Sequence, residues 1–113
     1  MISKELVAAS TRPLVLAILS QGEDYGYSII QKVRDMSNEK IAWTEGMLYP
    51  VLRRLEKQGL VKSRWLVAEE TGKRRRYYRI NSKGRDALAE QQAQWQMTNR
   101  VINKLWKLEP CTT

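Results

Sequence analysis

The sequence predicts a mainly α-helical domain that carries a small two-stranded β wing and ends in one long C-terminal helix. Three observations support this fold class. Apolar residues recur at helical spacing through the first half of the chain. Two runs rich in β-forming residues flank a Glu-Glu-Thr-Gly turn at residues 69–72. The stretch after Gly84 then runs for more than twenty residues without glycine or proline, which favours a single helix.

Composition bounds the class of protein. A chain of 113 residues with 42% hydrophobic residues is one domain and is not disordered as a whole. No apolar run approaches the ~18 residues that a membrane span needs, and the N-terminus lacks the layout of a signal peptide. The single cysteine, Cys111, forms no internal disulfide, so we expect a cytoplasmic protein. Without histidine, the sequence offers no common zinc cage or thiolate–imidazole pair, and we predict no catalytic residue, metal or cofactor.

Two helices are predicted before residue 40. The first covers about 5–20 and is interrupted by Pro13. Either Ser10 or Thr11 caps a helix that begins near Arg12, or one helix runs through the proline with a kink. The second covers about 26–37, and Gly26 at its start favours close approach to a neighbouring helix.

The third helix follows Thr44, a suitable N-cap, and ends at Gly59. Leu48, Leu52 and Leu55 share its buried face, and Tyr49 is predicted on the exposed face. Pro50 costs on the order of 3 kcal/mol inside a helix. We therefore expect an irregular first turn and a regular helix from near Tyr49, or a helix that simply begins at Pro50.

The wing and the last helix come next. Strands are predicted at 60–67 and 75–80, with Tyr78 and Ile80 holding the wing to the helices. Ser82 is the preferred N-cap of the last helix. That helix, ~25 residues and ~37 Å long, exceeds what so small a domain can cover. Its imperfect heptad stripe predicts packing against a second copy through Leu88, Trp95, Ile102 and Leu105.

This order of elements is a winged helix-turn-helix over residues 1–81, followed by a dimerisation helix and tail over 82–113. Residues 53–85 hold twelve basic and three acidic side chains, whereas the rest of the chain is nearly neutral. A local excess of positive charge suits binding to a phosphate backbone. Binding to an anionic membrane surface is the second and less favoured interpretation. The predicted contacts to double-stranded DNA are Thr44, Tyr49, Arg53, Arg54, Lys73, Arg74, Arg75, Arg76 and Tyr77.

Three motifs in this order resemble the PadR family of bacterial transcriptional regulators. They are Tyr25-Gly26-Tyr27, the run from Leu48 to Glu56 with Gly59-Leu60-Val61, and the run from Gly72 to Ile80 with Gly84. The resemblance covers about residues 10–108. It implies a homodimeric repressor that binds an inverted-repeat operator through the start of the third helix and the wing. Met47 stands where the family usually has threonine, which removes a hydroxyl.

The single C-terminal helix is similar to the small members of that family, some of which sense drugs and other planar aromatic compounds. By that resemblance, Trp95 and its symmetry mate would flank a flat ligand, with Gln91, Gln92 and Asn99 as polar lining. The alternative is that Trp95 only packs the dimer. A second functional hypothesis also stays open: a non-specific or architectural DNA-binding protein without a small-molecule ligand.

Overall fold

The computed structural model describes residues 2–107, so the predictions for Cys111 and the rest of the tail lie outside the described residues. Within these described residues the fold has four helices and three strands. In chain order they are α1 (Lys4–Ser20), β1 (Asp24–Tyr25), α2 (Gly26–Met36), α3 (Glu45–Lys57), β2 (Val61–Val67), β3 (Arg74–Ile80) and α4 (Ser82–Leu105). The predicted class, mainly α with a small β wing, is confirmed.

The α1 helix is continuous through Pro13, so the alternative of a helix that begins near Arg12 is wrong. Ser3 caps it by accepting a hydrogen bond from the Leu6 amide. Ser10 and Thr11 do not act as caps, because their hydroxyls donate to the Val7 carbonyl within the helix, at 3.0 and 2.7 Å. Side-chain donors of this kind are compatible with the helix interior.

The α3 helix begins directly after its predicted N-cap and is helical from its first turn. Thr44 is its N-cap and accepts from the Met47 amide at 3.3 Å, and the Leu48 amide donates to the Thr44 carbonyl at 3.0 Å. The expected irregular first turn and the start at Pro50 are therefore both wrong. At the other end, Gly59 has a φ of +76° and its amide donates to Glu56, which is the Schellman ending that glycine favours.

The sheet has three strands in the order β1-β3-β2, so the prediction of a two-stranded wing is incomplete. Asp24 and Tyr25 pair antiparallel with Tyr78 and Tyr77. The buried Asp24 carboxylate fixes this strand, because it accepts from the Tyr25 amide at 2.9 Å and from the Lys32 ammonium at 2.6 Å. A two-residue strand carries no alternation, and the sequence therefore gives no sign of it.

The core lies between the helices and the inner face of the sheet. Tyr78 and Ile80 are buried there, which confirms that they hold the wing to the body. Trp43, in the non-helical segment before α3, is buried too. The remaining members come from every helix and from the start of β2: Val15, Leu16, Ile18, Leu19, Ile29, Val33, Leu48, Leu52, Leu55, Leu60, Val61 and Leu88.

The α4 helix is capped by Asn81 and not by Ser82. The Asn81 side chain accepts from the Gly84 amide at 2.8 Å and donates to the Gly59 carbonyl at 2.7 Å, so tertiary packing selects it over serine. Leu88 is only 7% exposed and sits in the core of its own chain. We therefore leave Leu88 out of any dimer surface. The described residues span 53 × 30 × 28 Å.

Candidate nucleic-acid interface

A cleft of about 400 Å³ opens between the start of α2, the α3 helix and the wing. Aromatic and arginine side chains line it almost entirely. They are Tyr25, Tyr27, Tyr49, Trp65, Tyr78, Arg53, Arg74, Arg75 and Arg76, with Gly26 at the base. Arginine and aromatic groups together suit a phosphate backbone, since the guanidinium binds phosphate oxygens and the rings pack on sugars and bases.

Tyr49 is held more firmly than the sequence predicts. Its ring packs on Gly26, where a Cβ would meet the Tyr49 oxygen at 2.9 Å, so the glycine admits the phenol. This confirms the predicted close approach at Gly26, but Tyr49 is half-buried and not simply on the exposed face. Burial, and then the charge of Glu45, raises the pKa of the Tyr49 phenol. The phenol therefore stays protonated at neutral pH and keeps its hydrogen-bond donor.

Three arginines of the wing lie over aromatic rings; Arg76 is the most distant, 5.8 Å from the ring centres of Trp65 and Tyr78. The Arg74 guanidinium carbon is 4.9 Å from the centre of the Trp65 ring, and that of Arg75 is 4.6 Å from the centre of the Tyr25 ring. The Tyr25 ring also contacts Tyr77, with centroids 5.1 Å apart. Stacking on a ring restricts a guanidinium while leaving its N–H groups free for phosphate oxygens.

Arg76 has a different role from its neighbours. Its Nη2 is 3.0 Å from Glu56 Oε1, and its Nε donates to Ser63 at 2.9 Å. The Ser63 hydroxyl in turn donates to Glu56 at 2.5 Å. This network joins β3, β2 and α3, and it uses donors that a phosphate would need. Arg76 therefore fits the predicted DNA contact less well than Arg74 or Arg75.

The other predicted contacts lie on two exposed surfaces. Arg53 and Arg54 project from α3, beside Lys57 and Pro50. Lys73 lies in the loop at the wing tip, and Thr44 is exposed at the start of α3. Sequence reasoning missed Tyr25 and Trp65 as members of the site. Their aromatic character was visible, but only the pairing of β1 with β3 and the register Trp65↔Arg76 bring them beside the arginines.

Part of the basic excess is neutralised on the far side of the wing. Arg64 donates two hydrogen bonds to the Glu23 carboxylate, at 2.8 and 2.6 Å. These bonds lower the pKa of Glu23, so the carboxylate stays charged at neutral pH. Lys62 and Arg79 lie beside this ion pair, whereas Arg53, Arg74 and Arg75 line the cleft.

A separate apolar groove lies between α1 and α4. It measures about 220 Å³ and is lined by Ser10, Pro13, Leu14, Ala17, Leu88, Gln92 and Trp95. Of the predicted ligand-binding residues, Trp95 and Gln92 line it, whereas Gln91 and Asn99 do not. Asn99 is exposed, and the buried Gln91 Oε1 has no hydrogen-bond partner among the described residues.

Within residues 2–107, no group of three acidic or cysteine side chains is placed to hold a metal ion. None of the helices in this range combines the length and the apolar character that a bilayer span requires.

A family model described as the transcriptional regulator PadR-like family matches residues 15–90, about two thirds of the chain. The chain belongs to this family. The resemblance inferred from the three motifs is thereby confirmed. PadR-like proteins are transcriptional regulators and not enzymes, and they bind DNA.

Solved structures support the assignment to the PadR-like family. A transcriptional regulator from Clostridium thermocellum is 36% identical, with a TM-score of 0.82 over 92% of this chain and 97% of that one. A PadR-like regulator from Bacillus cereus is 29% identical, with a TM-score of 0.80 over 94% of this chain and 100% of that one. By sequence, the chain is also similar to the transcriptional regulator YqjI of Escherichia coli, with 33% identity over 79% of this chain. The match spans only 37% of the length of YqjI.

Proposed function

We propose that this PadR-like regulator is a homodimeric repressor that binds an inverted-repeat operator. The α3 helix would read bases in the major groove while the wing holds the adjoining backbone. The aromatic and arginine cleft between α3 and the wing is the observation that carries this proposal. It places the guanidinium groups of Arg53, Arg74 and Arg75 around one channel beside the reading helix.

The distal half of α4 supports a dimer. Beyond Leu88 no α4 residue is buried, yet Met97, Val101, Leu105 and Trp106 are large apolar side chains with 48–75% of their surface exposed. Trp95 and Ile102 add two half-buried positions on the side of the helix that carries Leu105 and Trp106. An apolar surface of this extent on a small domain marks an interaction site. A second α4 would bury it and give the two-fold symmetry that an inverted repeat requires.

Introducing charge into this surface should dissociate the dimer. In the double variant Val101→Glu with Leu105→Glu, two buried charges in each subunit would face their mates, so sedimentation should show a monomer. The matched control is Gln96→Glu with Asn103→Glu, which adds the same charge on the opposite side of α4. The control should remain dimeric. A dimeric Val101→Glu, Leu105→Glu variant would contradict the proposed interface.

Sequence-specific binding is tested by selection from a pool of randomised duplexes, followed by footprinting on the selected site. We expect one symmetric protected site and an affinity at least ~10³-fold above that for random duplex at physiological salt. Equal affinity for all duplexes, with a steep dependence on salt, would instead identify the non-specific binding protein. Loss of transcription on operator binding in a reconstituted assay distinguishes a repressor from an activator.

We also propose that a planar aromatic ligand binds at the dimer interface. The groove beside Trp95 holds about 220 Å³ in one chain, which is below the ~300 Å³ of a typical small-molecule pocket. A second subunit would enlarge and enclose it. The lining is almost wholly apolar apart from Ser10 and Gln92, and Trp95 supplies a flat ring against which an aromatic compound can stack.

Replacing Trp95 by alanine should reduce the affinity for a planar dye such as acridine orange by about tenfold, since one aromatic stacking contact contributes roughly 1–1.5 kcal/mol. Dye fluorescence measures the affinity directly. Operator binding should change less than threefold. Trp65→Ala, which removes a tryptophan far from the groove, is the control for dye binding and should leave it unchanged. Equal dye affinity in wild type and Trp95→Ala would refute the ligand proposal.

A further inference from the structure

The exposed side of the first half of α3 has an unusual chemistry for a DNA-reading surface. Gly46 has no side chain and Pro50 has no hydrogen-bonding group, and both are exposed. Beside them, Met47 is 39% exposed and is the one large apolar side chain that α3, fully described in the structure, leaves in solvent. The arginines Arg53 and Arg54 come only in the second half of the helix.

Neither side-chain packing nor a positive φ requires the glycine at this position. Gly46 lies in a helix without positive φ, and a Cβ added there would meet only the Thr44 hydroxyl oxygen, at 3.8 Å. Glycine within a helix is less favourable than alanine. The fold would accept a side chain at residue 46. A glycine there is explained if a partner molecule approaches the backbone closely.

Residues near the N-terminus of a recognition helix are those that contact base edges. Side-chain hydrogen bonds to bases from Gly46, Met47 and Pro50 are excluded by their chemistry, apart from the weak thioether acceptor. The base-edge group that an apolar side chain recognises in the major groove is the 5-methyl group of thymine. We propose that Met47 recognises a thymine methyl in each operator half-site and that Gly46 lets α3 approach the bases closely enough. This inference rests on the proposed operator-binding function.

The test replaces each thymine of the selected operator, one position at a time, by deoxyuridine, which lacks only the methyl group. At one position in each half-site, wild-type affinity should fall about fourfold, which corresponds to the ~0.8 kcal/mol of one buried methyl group. Met47→Ala should bind the thymine operator more weakly and show no further loss at that position. Met47→Leu, which keeps an apolar side chain of similar size, should retain the methyl dependence.

The control is Met36→Ala, the same change at an exposed methionine at the end of α2, which should keep full methyl dependence. Wild-type affinity that is indifferent to every deoxyuridine, a selected operator without thymine, or undiminished methyl dependence in Met47→Ala would each overturn the inference while leaving the repressor proposal intact. Failure of the selection to give any preferred duplex would overturn both. Gly46→Ala should weaken operator binding at least tenfold in a correctly folded protein, and unchanged affinity would contradict close approach.

Discussion

Replacing Gly84 by alanine is expected to destabilise the folded domain by about 3 kcal/mol, near the upper end of what overpacking costs. A Cβ at this position would lie 2.2 Å from the Leu60 carbonyl oxygen and 2.6 Å from Ile80 Cγ1. The nearer atom is backbone and cannot turn aside. Leu60 also accepts a hydrogen bond from the Asn81 amide, so its carbonyl is fixed between two elements. The substitution must therefore separate α4 from the start of β2.

Thermal unfolding followed by circular dichroism measures this effect, and the midpoint should fall by on the order of 10 °C. Gly46→Ala is the matched control, because it makes the same chemical change within a helix where the added Cβ meets only the Thr44 hydroxyl oxygen, at an ordinary contact distance of 3.8 Å. The control should be as stable as wild type or more stable by about 0.5–1 kcal/mol. If Gly84→Ala unfolded at the wild-type temperature, the close packing of α4 on Leu60 would be disproved.

Replacing both Arg74 and Arg75 by alanine is expected to weaken DNA binding about a thousandfold at physiological salt. If each guanidinium neutralises one phosphate, a dimer loses four contacts, and the slope of log K against log salt becomes shallower by about 3.6. Extrapolated from 1 M to 0.15 M salt, this change in slope amounts to roughly three orders of magnitude. Specific and random duplexes should be affected alike, because phosphate contacts carry no base information.

Binding titrations at several salt concentrations measure both quantities. The charge-matched control is Arg34→Ala with Lys40→Ala, which removes two cations from the end of α2 and the following turn, outside both surfaces of the interface. It should change the slope by less than one unit. A double variant Arg74→Ala, Arg75→Ala with the wild-type slope would show that the wing does not contact the backbone.

Arg76 shows why the role of a wing arginine is not readable from the sequence. In the run from Lys73 to Arg76 all four cations look alike. In the structure Arg76 is paired with Glu56 and Ser63, whereas Arg74 and Arg75 rest on aromatic rings. Arg75 lies on the opposite face of β3 from Arg76, because side chains alternate along a strand. Arg74 shares a face with Arg76, and its position nearer the wing tip separates it from Arg76, which reaches Glu56 and Ser63. Both facts depend on which elements pack together.

Tertiary contacts also decide the N-cap of α4 and the presence of the β1 strand. Asn81 and Ser82 are both good capping residues, and the choice is made by the second hydrogen bond from Asn81 to the Gly59 carbonyl. The β1 strand depends on Asp24 and Tyr25 meeting β3, more than fifty residues later. A two-residue segment has too little periodicity for its pairing to be predicted.

By itself, the amino-acid sequence determined the succession of helices, the wing, the confinement of positive charge to residues 53–85 and the membership of Tyr78 and Ile80 in the core. These are properties of periodicity, turn chemistry and local composition, which act over a few neighbouring residues. Tertiary structure alone decided that α1 and α3 run through their prolines, that Leu88 belongs to its own core, and that Tyr25 and Trp65 join the arginines in one cleft. Each of these outcomes depends on contacts between residues that are distant in the chain. A local sequence pattern does not predict the energies of such contacts.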